Sequence, residues 1–395
     1  MQRSKSELFG ALAFAGSGLV YLLTRPWAYG GDAPPPEPVP DPVVQVEPVV
    51  TPQAQEPPVI DIVFVLDTTG SMSGLLEGAK KKIWSIANNI ASGEPRPEVR
   101  VGLVAYRDRG DTYVTQSTPL TKDLDEVYSE LVQLQATGGG DFPEDVNQGL
   151  RVALRETGWS TREDVLKMVY LVGDAPPHDD YDPKMTSTIL AAEAKARGIL
   201  LHTVQCGNNP QTAKSFAALS NAGGGAYMTI AAHGGMSVVA TPFDEQLAAL
   251  NRSLADLALD YGSAESKRRG GAKKARRKAM PAAAAADVAS YGGKAGRMYG
   301  EDLVTALKDG SVALGTLTPE ELPSELQGKS KKAQRAIIEA NKAERAELLK
   351  HINSLSERRD SFLKKKAAEE GADESFDAKV LDSVREHAKK IGVSY

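Results

Sequence analysis

The chain has 395 residues, 41% hydrophobic and 25% charged, with a formal net charge of −5. That balance is ordinary for a folded chain of about two or three domains, and so small a net charge singles out no partner. A single cysteine, Cys206, excludes an internal disulfide framework and any cysteine-based zinc site, and its place in the apolar run Ile199 to Cys206 predicts a buried thiol.

Arg3 and Lys5 precede an uncharged run from Leu8 to Leu23, and Arg25, Pro26 and Trp27 follow it. Such a segment reads as a signal anchor or a cleaved signal peptide, although it falls just short of the roughly 17–25 residues of a full span. Positive residues before the run, and an acidic stretch free of Lys and Arg after Arg25, predict a membrane-anchored chain with the following domain on the outer side. Secretion after cleavage is the alternative. Residues 32–58 alternate Pro with Val, Glu and Asp and predict an extended acidic linker.

Val59 to Leu66, apolar except for Asp61, predicts a buried parallel strand. Val99 to Tyr106, Lys167 to Val172, Ile199 to Cys206 and Ala226 to Ile230 are further strand-like runs. Leu75 to Ala91, Asp123 to Leu134, Glu144 to Arg155, Pro183 to Ala196 and Gln211 to Asn221 lie between them with mostly helical spacing. This alternation predicts a doubly wound α/β fold with a mostly parallel sheet, over residues 59–235.

A helical extension follows at 236–264. Residues 265–297 read as a flexible basic and Ala/Gly-rich linker, because Lys267 to Lys278 carries eight basic residues in twelve and Pro281 to Ala295 is mostly Ala and Gly. Without interleaved aromatics the basic run gives no support to nucleic-acid binding. Residues 298–395 predict a mainly helical region. There Leu348, Ile352, Leu355 and Phe362 form a short seam, compatible with a coiled coil and self-association, or with an antiparallel pairing onto Phe376 to Ile391.

Asp67, Thr69 and Ser71 occupy alternate positions immediately after the first strand, at the sheet edge where open α/β folds bind ligands. One carboxylate and two hydroxyls suit a hard divalent cation. The plainer alternative is a turn in which Thr69 or Ser71 caps the next helix. Two further loops carry oxygen donors at the same edge: Asp174 after the Lys167 to Val172 strand, and the run Thr137-Gly-Gly-Gly-Asp-Phe-Pro-Glu-Asp before the next helix.

The region resembles a von Willebrand factor type A domain, whose D-x-[ST]-x-S motif matches Asp67 to Ser71 and whose third-loop aspartate matches Asp174. The resemblance implies a metal-ion-dependent adhesion site holding Mg²⁺ first, with Ca²⁺ or Mn²⁺ as alternatives. It also implies a protein partner that presents Asp or Glu to the cation. The family's second-loop threonine would stand at Glu144, so Thr137, Asp141 and Glu144 remain candidates there, with Asp141 or Glu144 favoured. This loop variant resembles bacterial and extracellular members, which points to a bacterial membrane-anchored protein.

His178 reads either as support for that site, as a general base, or as a solvated loop residue. Asp179, Asp180 and Asp182 read as a solvated loop, and Arg107 and Arg109 as partners of Asp108 or Asp111. The expected function is non-enzymatic, cation-dependent protein binding. A Mg²⁺-dependent hydrolase or phosphotransferase using Asp67 is the first rival, and a structural assembly protein with a vestigial metal site the second. The phosphate-binding G-x-x-x-x-G-K-[ST] loop and a serine nucleophile elbow are both absent.

Overall fold

The computed structural model describes residues 56–235, 238–295, 302–370 and 375–395. Its first strand, β1 (Val59–Asp67), is buried at all nine positions because helices cover both faces of the sheet. Even Asp61 is enclosed: Arg100 grips its carboxylate through Nε (2.7 Å) and Nη2 (2.5 Å), and the Ser160 amide donates to it at 3.0 Å.

The chain continues through α1 (Ser73–Ile90), β2 (Glu98–Tyr106), β3 (Thr115–Thr121), α2 (Leu124–Gln133), α3 (Val146–Arg155) and β4 (Val165–Gly173). Then come α4 (Ser187–Ala196), β5 (Ile199–Cys206), α5 (Pro210–Ala222) and β6 (Gly224–Ile230). The six strands lie in the order β3-β2-β1-β4-β5-β6, all parallel except β3, which runs antiparallel on the β2 edge. The expected doubly wound sheet is therefore present, with one edge strand that the sequence reading lacked. Connections leave β1 and β4 in opposite directions, so the switch point lies between the carboxyl ends of these two strands.

Alternate residues of β1 serve two cores. Val63 and Val65 face α3, α4 and α5, packing with Leu150, Leu190 and Phe216. Ile60, Ile62, Phe64 and Leu66 face α1 and α2, and with them a helix from the far end of the chain, α11 (Phe376–Ala388). Phe376 meets Phe64 edge-on at 5.9 Å, and the Tyr170 hydroxyl donates to Val380 O at 3.3 Å. Lys82 of α1 pairs with Asp377 at 2.9 Å. The expected antiparallel partner of the long C-terminal helix is thus part of the sheet core.

The remaining helices form an outer layer: α6 (Asp244–Asp256), α7 (Ala264–Ala279), α8 (Ala282–Ala295), α9 (Leu303–Asp309) and α10 (Lys331–Glu370). Two expectations are corrected here. The stretch expected as a flexible linker is α7 and α8. The basic face of α7 is held by acids outside it: Arg277 by Asp125 (2.5 Å) and Lys273 by Asp123, both about 150 residues away, and Lys274 by Asp260 (2.9 Å). The Ala-rich α8 buries Ala285, Ala286, Val288 and Ala289, where small side chains let neighbouring helices approach. Likewise the seam expected to serve a coiled coil or a pairing onto 376–391 packs instead inside the chain, with Leu348, Ile352 and Leu355 against α6 and α8 and Phe362 edge-on to Phe243. Buried Arg359 clamps α6 to α8 through Asp244 (2.8 Å) and Asp287 (2.6 Å).

No helix among the described residues is long and apolar enough to cross a membrane. This overturns the expected membrane-anchored placement. The longest helix among the described residues, α10, has Lys, Arg and Glu along its whole length and its apolar seam against α6 and α8. The segment 8–23 read as an anchor or signal lies outside the described residues, as does the linker up to residue 55.

Because α11 seals the sheet, trimming its anchor should destabilise the whole domain. Phe376→Ala is expected to cost about 3 kcal/mol, as for a large aromatic removed from a packed core. Urea unfolding of the full chain checks this, and a loss below about 1 kcal/mol would show that α11 is dispensable to the core.

Candidate metal centre

The carboxyl ends of β1 and β4 release two loops side by side, and backbone hydrogen bonds tie a third loop to both. Thr137 N–H donates to Thr68 O (3.1 Å) and Gly70 N–H to Gly138 O (3.2 Å), joining the first loop to the second. Glu144 N–H donates to Pro176 O (3.0 Å) and His178 N–H to Glu144 O (3.1 Å), joining the second loop to the third. Thr212 Oγ1 donates to Asp174 O at 2.7 Å and fixes the third loop from α5. Gly139 adopts φ +86°, and a Cβ there would lie 3.3 Å from Thr69 Cβ and 3.4 Å from Glu144 Oε1. The Gly-Gly-Gly run therefore lets the second loop pass close over the first.

Asp67 ends β1 fully buried. Its Oδ1 accepts both the Thr69 amide (2.8 Å) and the Thr69 hydroxyl (2.6 Å), which closes the turn. Thr69 Oγ1 lies 3.4 Å from Ser71 Oγ, so the two hydroxyls share one side of the loop. Neither hydroxyl caps the following helix.

Three buried oxygens here have no hydrogen-bond partner: Asp67 Oδ2, Glu144 Oε2 and Tyr106 Oη. Tyr106 ends β2, and a Cβ at Gly173 would sit 2.4 Å from its hydroxyl and 3.3 Å from Asp67 Oδ2. Only glycine at 173 leaves room for both.

The electrostatics follow from this crowding. Burial pushes the Asp67 carboxyl up to about 7, with the charge of Asp174 adding to it and the Thr69 donors opposing it. Burial pushes Glu144 up to about 9, helped by the charges of Asp67, Asp108, Asp111 and Asp174. Burial next to the same acids holds the Tyr106 hydroxyl well above its ordinary range. Buried, unpaired carboxylates are costly unless an opposite charge compensates them. The donors are oxygens throughout, which fits a hard divalent cation.

The structure thus brings Asp67, Thr69, Ser71, Glu144 and Asp174 to the same sheet edge, close enough that the charges of Asp67 and Asp174 act on Glu144. Thr137 is exposed and contributes its backbone amide to the loop pairing. Asp141 and His178 stand apart from this group, in a cluster with Asp108 whose ligand atoms all lie within 4.8 Å of one another. Sequence reasoning missed Tyr106 and Asp108 as site residues; their position at the end of β2, beside the loop after β1, is the signal that would have found them. Arg107 and Arg109 do not pair with Asp108 or Asp111. Arg107 Nη2 donates to Gln135 O at 2.6 Å, and Arg109 pairs with Asp145 at 3.1 Å. Asp179 accepts from Asn147 Nδ2 (2.9 Å) and from the Ser187 amide (2.6 Å) and hydroxyl (2.7 Å), so it fixes the start of α4.

A doubly wound, mostly parallel sheet with oxygen donors on the loops at its switch point defines a Rossmann-like α/β domain. Residues 61–242 match the family model of the von Willebrand factor A domain, and the chain carries such a domain followed by a mainly helical region. Similar proteins include von Willebrand factor A domain-containing protein 7 of Rattus norvegicus, 33% identical over 124 residues, or 31% of this chain and 13% of that one. The putative ariadne-like RING finger protein R811 of Acanthamoeba polyphaga mimivirus is 25% identical over 186 residues, 42% of this chain and 18% of that one. The chain therefore matches less than a fifth of the length of either relative. A solved structure of the hypothetical protein BatB from Bacteroides thetaiotaomicron shares 16% identity with a TM-score of 0.31, covering 44% of this chain and 90% of that one.

The raised carboxyls give a signed stability profile for the metal-free protein. In the unfolded chain both groups ionise near pH 4, whereas the folded state keeps its protons until about pH 7 at Asp67 and about pH 9 at Glu144. The folded state then binds more protons, and stability falls as pH rises through this window. Glu144→Gln should stabilise the protein in EDTA at pH 8 by on the order of 2 kcal/mol and leave it unchanged at pH 4. Thermal unfolding at the two pH values measures this; an equal shift at both would mean that ionisation is not the cause.

Proposed function

We propose that this domain is a protein-interaction module that recognises its partner through a divalent cation, Mg²⁺ first among the candidates. The pair of buried, unpartnered carboxylate oxygens, Asp67 Oδ2 and Glu144 Oε2, beside Asp174 and two hydroxyls carries the reading. Asp67, Ser71 and Asp174 would hold the ion, with Thr69 beside them. Glu144 is the second-loop ligand in this reading, because it is buried and coupled to Asp67 and Asp174, whereas Asp141 is exposed and lies beside His178. When bound, the cation offers a position for a carboxylate oxygen of a partner Asp or Glu. The chain's own residues fix the donors, keep water from β1, and shape the rim, where Phe142 stands 42% exposed and available for apolar contact.

The geometry favours binding over hydrolysis. Asp67 Oδ1 is occupied by two donors from Thr69, and the position two residues later, where a nucleophilic aspartate of an α/β phosphatase needs an acid, is Thr69 itself.

Mg²⁺ at a hundred times its Kd should stabilise the wild type by about 2.7 kcal/mol, and Asp67→Asn or Asp174→Asn should abolish that gain. Affinity capture in Mg²⁺ and in EDTA then tests the partner. A partner retained equally in EDTA, or by Asp174→Asn, would refute the mechanism, and replacing a single Asp or Glu of a true partner should release it.

A further inference from the structure

We infer that a second metal position lies beside the first, formed by His178 Nε2 and the carboxylates of Asp108 and Asp141, and that it takes a borderline transition dication such as Zn²⁺. The ligand atoms of these three side chains all lie within 4.8 Å of one another. An acidic cluster alone would not suffice; the imidazole supplies the independent observation. His178 is only 8% exposed, and its Nε2 is buried with no hydrogen-bond partner. The other ring nitrogen, Nδ1, is 2.8 Å from Asp180 Oδ1. That contact places the imidazole proton on Nδ1 and leaves the Nε2 lone pair directed at Asp141 Oδ2, 3.6 Å away. Two lone pairs facing each other there repel unless a proton or a metal cation lies between them, and 3.6 Å is long for a hydrogen bond but ordinary for two ligands of one ion. A carboxylate behind a histidine that faces two acids is the arrangement by which metal-binding imidazoles are oriented.

The remaining supports are rigid. The imidazole stacks on the Tyr181 ring with centroids 3.9 Å apart, and Arg109 lies over that same ring at 4.1 Å. The Tyr181 hydroxyl donates to Asp108 at 2.9–3.0 Å, and Asp108 is itself 5% exposed. Asp141, with 65% of its side chain exposed, gives access from solvent. One nitrogen and two carboxylates suit Zn²⁺, Co²⁺, Ni²⁺ or Mn²⁺ better than Mg²⁺, whereas the neighbouring site offers oxygens only.

Zn²⁺ titration by calorimetry of the full chain, in millimolar Mg²⁺, tests the assignment. The expected result is one Zn²⁺ per chain that excess Mg²⁺ does not displace and that Asp174→Asn retains. His178→Ala and Asp141→Asn should each weaken Zn²⁺ at least tenfold, and Asp180→Asn about tenfold through loss of orientation. Asp141→Asn alters an exposed side chain, so it reads out binding even if His178→Ala disturbs folding. Co²⁺ in place of Zn²⁺ should give visible d–d absorption that His178→Ala removes. No Zn²⁺ bound in the presence of Mg²⁺, or equal affinity in the wild type and both ligand variants, overturns the proposal; the second outcome, with binding lost in Asp174→Asn, would assign Zn²⁺ to the Asp67 site instead. Mg²⁺-dependent stabilisation should survive in Asp141→Asn, which keeps failure of this site distinct from failure of the first.

Discussion

The central strands of a parallel sheet have no face that water can cover, so helices must seal both sides of them. On one side α3, α4 and α5 lie in the connections between successive strands. On the other, α1 and α2 leave a gap over β1 and β4 that α11 fills with Phe376, Val380 and Val384. The end of the chain is therefore part of the first core, and the helices between β6 and α11 must run outward and return. Their placement is set by buried ion pairs: Arg277 on Asp125, Arg359 on Asp244 and Asp287, and Arg345 on Asp302. Such pairs stabilise little after desolvation, but a misplaced helix would leave one charge buried alone. They fix where helices lie more than how strongly they hold.

The same economy of space operates at the sheet edge with the opposite sign. There the fold collects acids while its nearest arginines are taken by other partners, Arg107 by Gln135 O and Arg109 by Asp145. Asp67 ends fully buried because β1 is central, and Glu144 is drawn inside because its backbone bridges Pro176 and His178. Neither position could be relaxed toward solvent without unpicking the hydrogen bonds that join the three loops. The rigidity that makes the carboxylates costly is also what keeps their free oxygens aligned for a ligand.

The central strands and the helices between them were legible because each is an apolar run or an amphipathic stretch whose period shows in the sequence. The edge strand β3 was not: Thr115 to Thr121 is polar, contains Pro119, and buries only Thr118 and Leu120. Nor was α7, since nothing local distinguishes eight basic residues on a helix from a solvated linker; its order comes from Asp123, Asp125, Asp256 and Asp260, all outside the helix itself. At the site, Asp67, Thr69, Ser71 and Asp174 could be read from their places after β1 and β4. Asp141 and Glu144 could not be separated, because spacing says nothing about which carboxylate turns inward.

That ambiguity has a structural origin in the loop itself. Asp141 and Glu144 are three residues apart with Pro143 between them, in backbone that forms no helix until Val146. The chain bends through Asp141, Phe142 and Pro143 before Glu144 bridges to Pro177, and this turn parts the two side chains. Glu144 falls on the side of Asp67 and Asp174, and Asp141 on the side of Asp108 and His178. The third loop is divided too, with Asp174 at its start beside Asp67 and His178 four residues later beside Asp141. Two loops therefore contribute one donor each to an oxygen-only group and one each to a group that includes imidazole. Because Glu144 O accepts the His178 amide, neither group can shift without moving the other. Any ligand that tightens one should order the loops of both.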